Sequence, residues 1–184
     1  MFLIVHAEIK IRMRTILVDW LFVLSRVMHM TSHSMHLSVR LIDKLLKSSN
    51  IDITKKNFQA YGMMCSYIAS KLLDRTTPTM EDFIYTCNSI YTIKYLMQVE
   101  FEILEALDFQ VMGIRNTIDI YIFQYKDNSP TKEWVLFLID FYMLDVELFY
   151  SYPHHMLIQT ARYLEYSGHN IPEECSGYCP RLAN

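Results

Sequence analysis

The chain has 184 residues, enough for one domain or two small ones with a sizeable core. Its 52% hydrophobic and 14% aromatic content is globular rather than disordered, and four glycines and five prolines favour long helices over a turn-rich sheet fold. A formal net charge of −3 argues against a dedicated nucleic-acid binder, which needs a strongly basic face. Cys65, Cys87, Cys175 and Cys179 show no disulfide-scaffold spacing and read as reduced thiols. The opening apolar run Met1–Val5 ends at His6 and Glu8, too short for a signal peptide or a membrane span. A soluble protein of the nucleus or cytoplasm is expected.

Residues 1–12 are a lead-in of unassigned structure. The first predicted helix runs from about Met13 to Met30, with Met13, Ile16, Leu17, Trp20 and Leu24 on one stripe and apolar residues around most of the remaining circumference. Arg14 and Asp19 interrupt it, and a buried charge needs a partner. Thr31 to Ser34 form a polar break rich in capping residues. The second helix spans about Ser34–Lys47, with Leu37, Leu41, Ile42, Leu45 and Leu46 on its apolar face.

Thr54 reads as the N-cap of a third helix reaching Leu73. Its small and apolar residues from Ala60 to Ala69 mark it as central. After Pro78, Thr79-Met-Glu-Asp82 fits a capping box opening a short helix to about Asn88. A fifth helix, about Thr92–Leu107, has Leu96, Val99, Ile103, Leu104 and Leu107 at core spacing. Residues 108–116 read as a linker, followed by helices at about 117–125, 131–148 and 154–166. Gly168 and Pro172 break the pattern after that.

Catalytic chemistry is not written in the chain. There is no Gly-rich phosphate loop, nucleophile elbow or paired catalytic carboxylates, so an enzymatic activity or a cofactor of its own is not expected. Cys175 and Cys179 with His169, and the pair His154-His155, fit no standard zinc module, so no metal is expected.

Met13-Arg-Thr-Ile-Leu-Val-Asp-Trp-Leu21 closely resembles the opening of the cyclin box in A- and B-type cyclins. Leu37-Ser-Val-Arg-Leu-Ile-Asp-Lys-Leu45 resembles the family's second helix, and Ile68-Ala-Ser-Lys71 the end of its third. Asp82, Phe83, Tyr85, Tyr91 and Thr92 resemble the next elements in order. Val99 and Glu100 with Ile103, Leu104, Leu107 and Phe109 complete the series. Asn116-Thr117, Leu144-Asp-Val-Glu147, Tyr152-Pro153 and Ile171-Pro-Glu-Glu174 resemble the start of a second cyclin fold, whose fifth helix finds no counterpart here. The resemblance implies an all-α protein with one complete five-helix cyclin box at residues 13–109 and a truncated second cyclin fold at 110–184.

It also implies roles for particular residues. Arg14 and Asp43 match an internal ion pair joining the first two helices. Lys71 and Glu100 match the Lys and Glu through which cyclins grip backbone around the regulatory helix of a cyclin-dependent kinase. Their apolar neighbours Phe101 and Leu104 read as core. Met13, Ile16, Leu17 and Trp20, with Gln59 beside them, match the patch that docks Arg-x-Leu segments of substrates and inhibitors. The position of the family's acidic residue near Trp20, which would pair with the motif's basic residue, is Val23. With twelve residues before the box in this sequence, the further kinase-contacting helix and destruction signal of cellular A- and B-type cyclins are not expected.

The expected function is therefore a non-catalytic regulatory subunit that binds and activates a cyclin-dependent kinase, with neither a nucleic-acid nor a membrane partner. Two alternatives stand beside it. One is a helical docking module acting without a kinase. The other is a cyclin-fold transcription factor, although such proteins usually carry a zinc ribbon and a basic DNA-facing surface.

Overall fold

The structure, a computed structural model, describes residues 3–111 and 132–166. The chain divides into two compact units, residues 2–116 and 117–184. The described residues of both are helical and contain no strand. The helix expected at 117–125 and everything after residue 166 lie outside the described residues.

The first unit contains α1 (Ile11–Val27), α2 (Ser32–Leu46), α3 (Phe58–Leu73), α4 (Met80–Thr86) and α5 (Ile93–Ala106). α3 is its hub, packing against each of the other four. Ala60, Met63, Met64, Cys65, Ala69 and Ser70 on it have no exposed surface. Small residues there let the neighbours approach closely. At Gly62 an added Cβ would lie 2.8 Å from both methyl carbons of Leu17, so the glycine sets how near α1 comes to α3.

One ion pair is sealed inside this bundle. Arg14 on α1 and Asp43 on α2 are 0% and 1% exposed. Arg14 Nε donates to Asp43 Oδ1 at 2.9 Å and Nη2 donates to Oδ2 at 2.8 Å, a two-pronged fork that fixes one helix against the other. Burial pushes the nearby Cys65 thiol well up, and the Asp43 charge adds to that shift.

Capping explains the helix ends. Thr31 accepts from Ser34 N–H at 3.3 Å, as the polar break predicts. α2 has no acidic residue in its first turn, and the end of α3 supplies one instead. Asp74 Oδ1 accepts from Thr31 N–H at 3.0 Å and from the Thr31 and Ser34 hydroxyls at 2.6 Å each. The capping box at Thr79 and Asp82 forms as read from the sequence. Hydrogen bonds from Thr79 hold the Asp82 carboxyl below the usual carboxylate range.

With so few glycines, the chain closes three helices on other residues. His29, Asn88 and Asp108 take left-handed φ values of 52°, 51° and 52° just past α1, α4 and α5. Each turn has paired bonds of the Schellman type, such as Met30 N–H to Ser25 O at 2.8 Å with His29 N–H to Arg26 O at 3.1 Å.

Several boundaries differ from the sequence reading. α3 starts at Phe58 rather than after Thr54, because the Asn57 side chain accepts from Thr54 N–H at 2.7 Å and folds residues 54–57 into a turn. The lead-in is ordered by the bundle. Val5 N–H donates to Leu46 O at 3.0 Å, and buried His6 bridges two segments. Its Nδ1 accepts from Ile53 N–H at 3.3 Å, so Nε2 carries the proton shared with Leu45 O at 3.1 Å.

The second unit contains α6 (Lys132–Leu144), α7 (Val146–Ser151) and α8 (His154–Tyr166). Val135, Leu138 and Ile139 of α6 meet Ile158 and Ala161 of α8 in its core. The single helix expected at 131–148 is two helices. Asp145 leaves the helical conformation and caps α7, accepting from the N–H groups of Glu147 and Leu148 at 3.0 Å each. Its short carboxylate stabilises a new helix start more than a helix interior.

Removing one partner of the Arg14–Asp43 pair leaves a buried charge, which costs about 3–5 kcal/mol. Urea unfolding followed by helical circular dichroism should show that loss for Arg14→Met or Asp43→Leu alone. The double replacement, with no charge left to bury, should recover most of it.

Candidate functional site

Two surfaces of the first unit collect the residues marked by the sequence. On one of them Lys71, in the last turn of α3, forms an ion pair with Glu100 in the middle of α5. The Lys71 side chain is 39% exposed and that of Glu100 17%. Lys71 Nζ also lies 4.4 Å from the Tyr67 ring centroid, and Tyr67 stands edge-on to buried Phe83 at 5.6 Å. The pair is therefore propped from beneath by the core and open above.

The apolar residues around this pair are not core. Phe101 is 57% exposed, contrary to the expectation for it, and Leu104 is only half-buried. The core stripe of α5 is Leu96, Val99, Ile103 and Leu107, the first three fully or almost fully buried on the helix. Ile93, Met97, Phe101 and Leu104 lie roughly 110° round the helix from it, at 100° per residue. Met97 is 58% exposed. Beyond the helix, the left-handed turn at Asp108 and Phe109 brings the exposed Phe109 ring back to within 6.5 Å of Phe101, edge to face. This rim of exposed apolar groups around a charged pair was missed in the sequence. Its signal is the second four-residue spacing 93, 97, 101 beside the core series.

The other surface lies on α1. Ile16 points outward and Met13 and Trp20 are partly exposed, whereas Leu17 is buried against Gly62. Gln59, half-buried in the first turn of α3, accepts from the Tyr91 hydroxyl at 3.4 Å. Tyr91 stacks on Tyr95 at 5.7 Å. Tyr61, between α3 and α5, donates to Glu102, which also accepts from Gln98 at 2.9 Å. Burial and then that hydrogen bond push the Tyr61 phenol well up, so it stays a donor. Neither Tyr61 nor Glu102 stands out in the sequence. Among the described residues, no three His, Cys, Asp or Glu side chains converge as a metal site, and no helix is long and apolar enough to cross a membrane.

The family profile described as the cyclin N-terminal domain matches residues 1–112. The chain belongs to the cyclin family. A G2/mitotic-specific cyclin-B of Spisula solidissima is 34% identical over 104 residues, covering 56% of this chain and 24% of that protein. A G2/mitotic-specific cyclin-A of Hydra viridissima is 28% identical over 160 residues, covering 85% of this chain and 38% of the relative. The chain thus spans about a quarter to two-fifths of the length of these curated relatives. Among solved structures, a viral cyclin from herpesvirus saimiri superposes with a TM-score of 0.71 at 21% identity, covering 98% of this chain and 80% of that one. The fold is the all-helical cyclin fold.

Gly62→Ala should press a methyl group into Leu17, and overpacking of a core contact costs about 1–3 kcal/mol. Thermal unfolding should show a lowered midpoint, and tryptophan emission should report a changed setting of Trp20 one turn away on α1.

Proposed function

We propose that the chain is a regulatory subunit of a cyclin-dependent protein kinase, holding the kinase through the face that carries Lys71 and Glu100 and doing no catalysis itself. The observation that carries this reading is the Lys71–Glu100 pair framed by exposed Met97, Phe101 and Phe109. Apolar area on one face is the means of binding a protein partner, and two long charged side chains in its midst can satisfy backbone groups left unpaired at such an interface. Membership of the cyclin family supplies the kind of partner.

The mechanism is one of selective binding. A kinase alternates between conformations in which its catalytic Lys–Glu pair and metal-binding groups are, or are not, in place. A subunit that binds the assembled conformation more tightly shifts the population toward it by that difference in affinity. The rigidity of α3 and α5, packed on a common core, lets the surface press on the kinase's regulatory helix without deforming.

The α1 face, with Met13, Ile16, Leu17, Trp20 and Gln59, is proposed to dock apolar-anchored segments of substrates or inhibitors, the Arg-x-Leu type among them. Ile16 and Trp20 supply the contact, Leu17 supports them from below, and Gln59 can donate from its amide nitrogen. Residues 110–184 are proposed to form the partial second cyclin fold, which the helical second unit supports.

Charge reversal tests the kinase reading. Lys71→Glu and Glu100→Lys should each cut activation of a reconstituted kinase by at least about 30-fold, the size expected when a charge at an interface loses its partner. Their own stability should fall only modestly, since an ion pair open to solvent on its Lys71 side contributes about 0–1 kcal/mol. The double reversal restores the internal pair and should not restore activation. Unimpaired activation in the single variants would refute the assignment, and a kinase-independent docking module would be indifferent to all three.

A further inference from the structure

Tyr67 precedes Lys71 by four residues on α3, which puts the two side chains one above the other on one face of the helix. The ammonium of Lys71 lies over the Tyr67 ring, with Nζ 4.4 Å from the centroid, inside the range in which a ring face attracts a cation. The ring itself has little freedom. It stands edge-on to Phe83 of α4, with 5.6 Å between the centroids and 78° between the planes, and Phe83 is completely buried. Packing on the core therefore sets the plane of the half-buried Tyr67 ring, and the ring sets where the ammonium rests. A leucine at residue 67 would fill much of the same space against Phe83 but would offer no ring face.

Lys71 thus has two partners of different kinds. Glu100 is an anion reached across from α5, and its carboxylate is still partly exposed. Its oxygens are acceptors, so the N–H groups of a bound protein compete with Lys71 for them. The Tyr67 ring holds the cation through its quadrupole and needs no acceptor atom, so it keeps its hold while Glu100 is shared with a partner. Two further effects act in the same direction. A long lysine side chain loses its freedom when an interface fixes it, and a chain already held in place has less to lose. Attraction between a cation and a ring also grows when water is excluded, which is what a partner closing over Lys71 does.

We infer that Tyr67 is a positioning residue for the kinase-binding face. It fixes the Lys71 ammonium in the free chain and strengthens that hold in the complex. This rests on the proposed role of Lys71 and Glu100 and adds a third residue, one that acts through Lys71 and not by touching the kinase.

The test titrates the full chain into a purified cyclin-dependent kinase that co-elutes with it. Tyr67→Leu should weaken binding about tenfold, the size of a partly desolvated cation–ring contact. Tyr67→Phe keeps the ring and should stay within about twofold of the parent. In a chain already carrying Lys71→Met, adding Tyr67→Leu should change affinity by less than about twofold, because two residues that act as one unit are not additive. Nuclear magnetic resonance of the free chain supplies a readout that needs no kinase. The ring current of Tyr67 should shift the ε-methylene protons of Lys71 upfield of those of exposed lysines, in the parent and in Tyr67→Phe.

Parental affinity in Tyr67→Leu, with Lys71→Met weakened, overturns the inference and leaves the kinase face standing. A tenfold loss that persists in the Lys71→Met chain also overturns it, since the ring would then act on its own or through the fold. A loss in Tyr67→Phe equal to that in Tyr67→Leu assigns the effect to the hydroxyl and has the same consequence. Unchanged affinity in Lys71→Met would sink the kinase-face reading and this inference with it. If circular dichroism shows that Tyr67→Leu has lost its helical signal, the Lys71 methylene shift decides, and unshifted protons in the parent overturn the inference.

Discussion

The Arg14–Asp43 fork is the constraint on which the arrangement of the first unit depends. Both groups are shut off from water, so neither can be left alone, and two parallel hydrogen bonds accept little variation in distance or angle. Such a pair adds little net stability compared with well-packed apolar residues. Its effect is on register. It holds α1 against α2, Gly62 admits Leu17 of α1 against α3, and α3 in turn carries α4 and α5. The outer faces of α1 and α5 are thereby set at fixed positions on one scaffold.

Those outer faces differ in chemistry. The α5 side combines an ion pair with exposed aromatic and sulfur-containing side chains, a mixture suited to gripping both the side chains and the backbone of a folded partner. The α1 side is a narrow apolar stripe around Ile16 and Trp20, suited to a single segment. Different surfaces would let one chain hold a kinase and recruit a second protein together. In that reading the first surface sets the state of the kinase and the second raises the local concentration of what it acts on.

Much of this was legible in the sequence because it is periodic or local. The α2 core stripe and the Thr79–Asp82 capping box depend on residues within one helix and appear as read, and so does the α5 stripe apart from half-buried Leu104. The pairing of Arg14 with Asp43 came from the family resemblance, since the pattern of charges alone gives Arg14 no particular partner. What was hidden is tertiary. Asp74 caps the start of α2 from 40 to 43 residues further along the chain, and His6 joins the lead-in to the loop before α3. Phe101 looked like core because its residue type says nothing about which side of α5 the bundle covers. Asp145 was lost inside an apolar run, where a single capping carboxylate outweighs the helical pattern on both sides of it.

The central claim is that the face of Lys71 and Glu100 meets a cyclin-dependent kinase. Hydrogen–deuterium exchange of the chain, alone and mixed with a purified kinase that co-elutes with it, reads that most directly. The account predicts added protection in the last turn of α3, through α5 and over Phe109, with the outer face of α1 left as it was in the free chain. Protection confined to α1, or a complex in which α3 and α5 exchange as in the free protein, would contradict it.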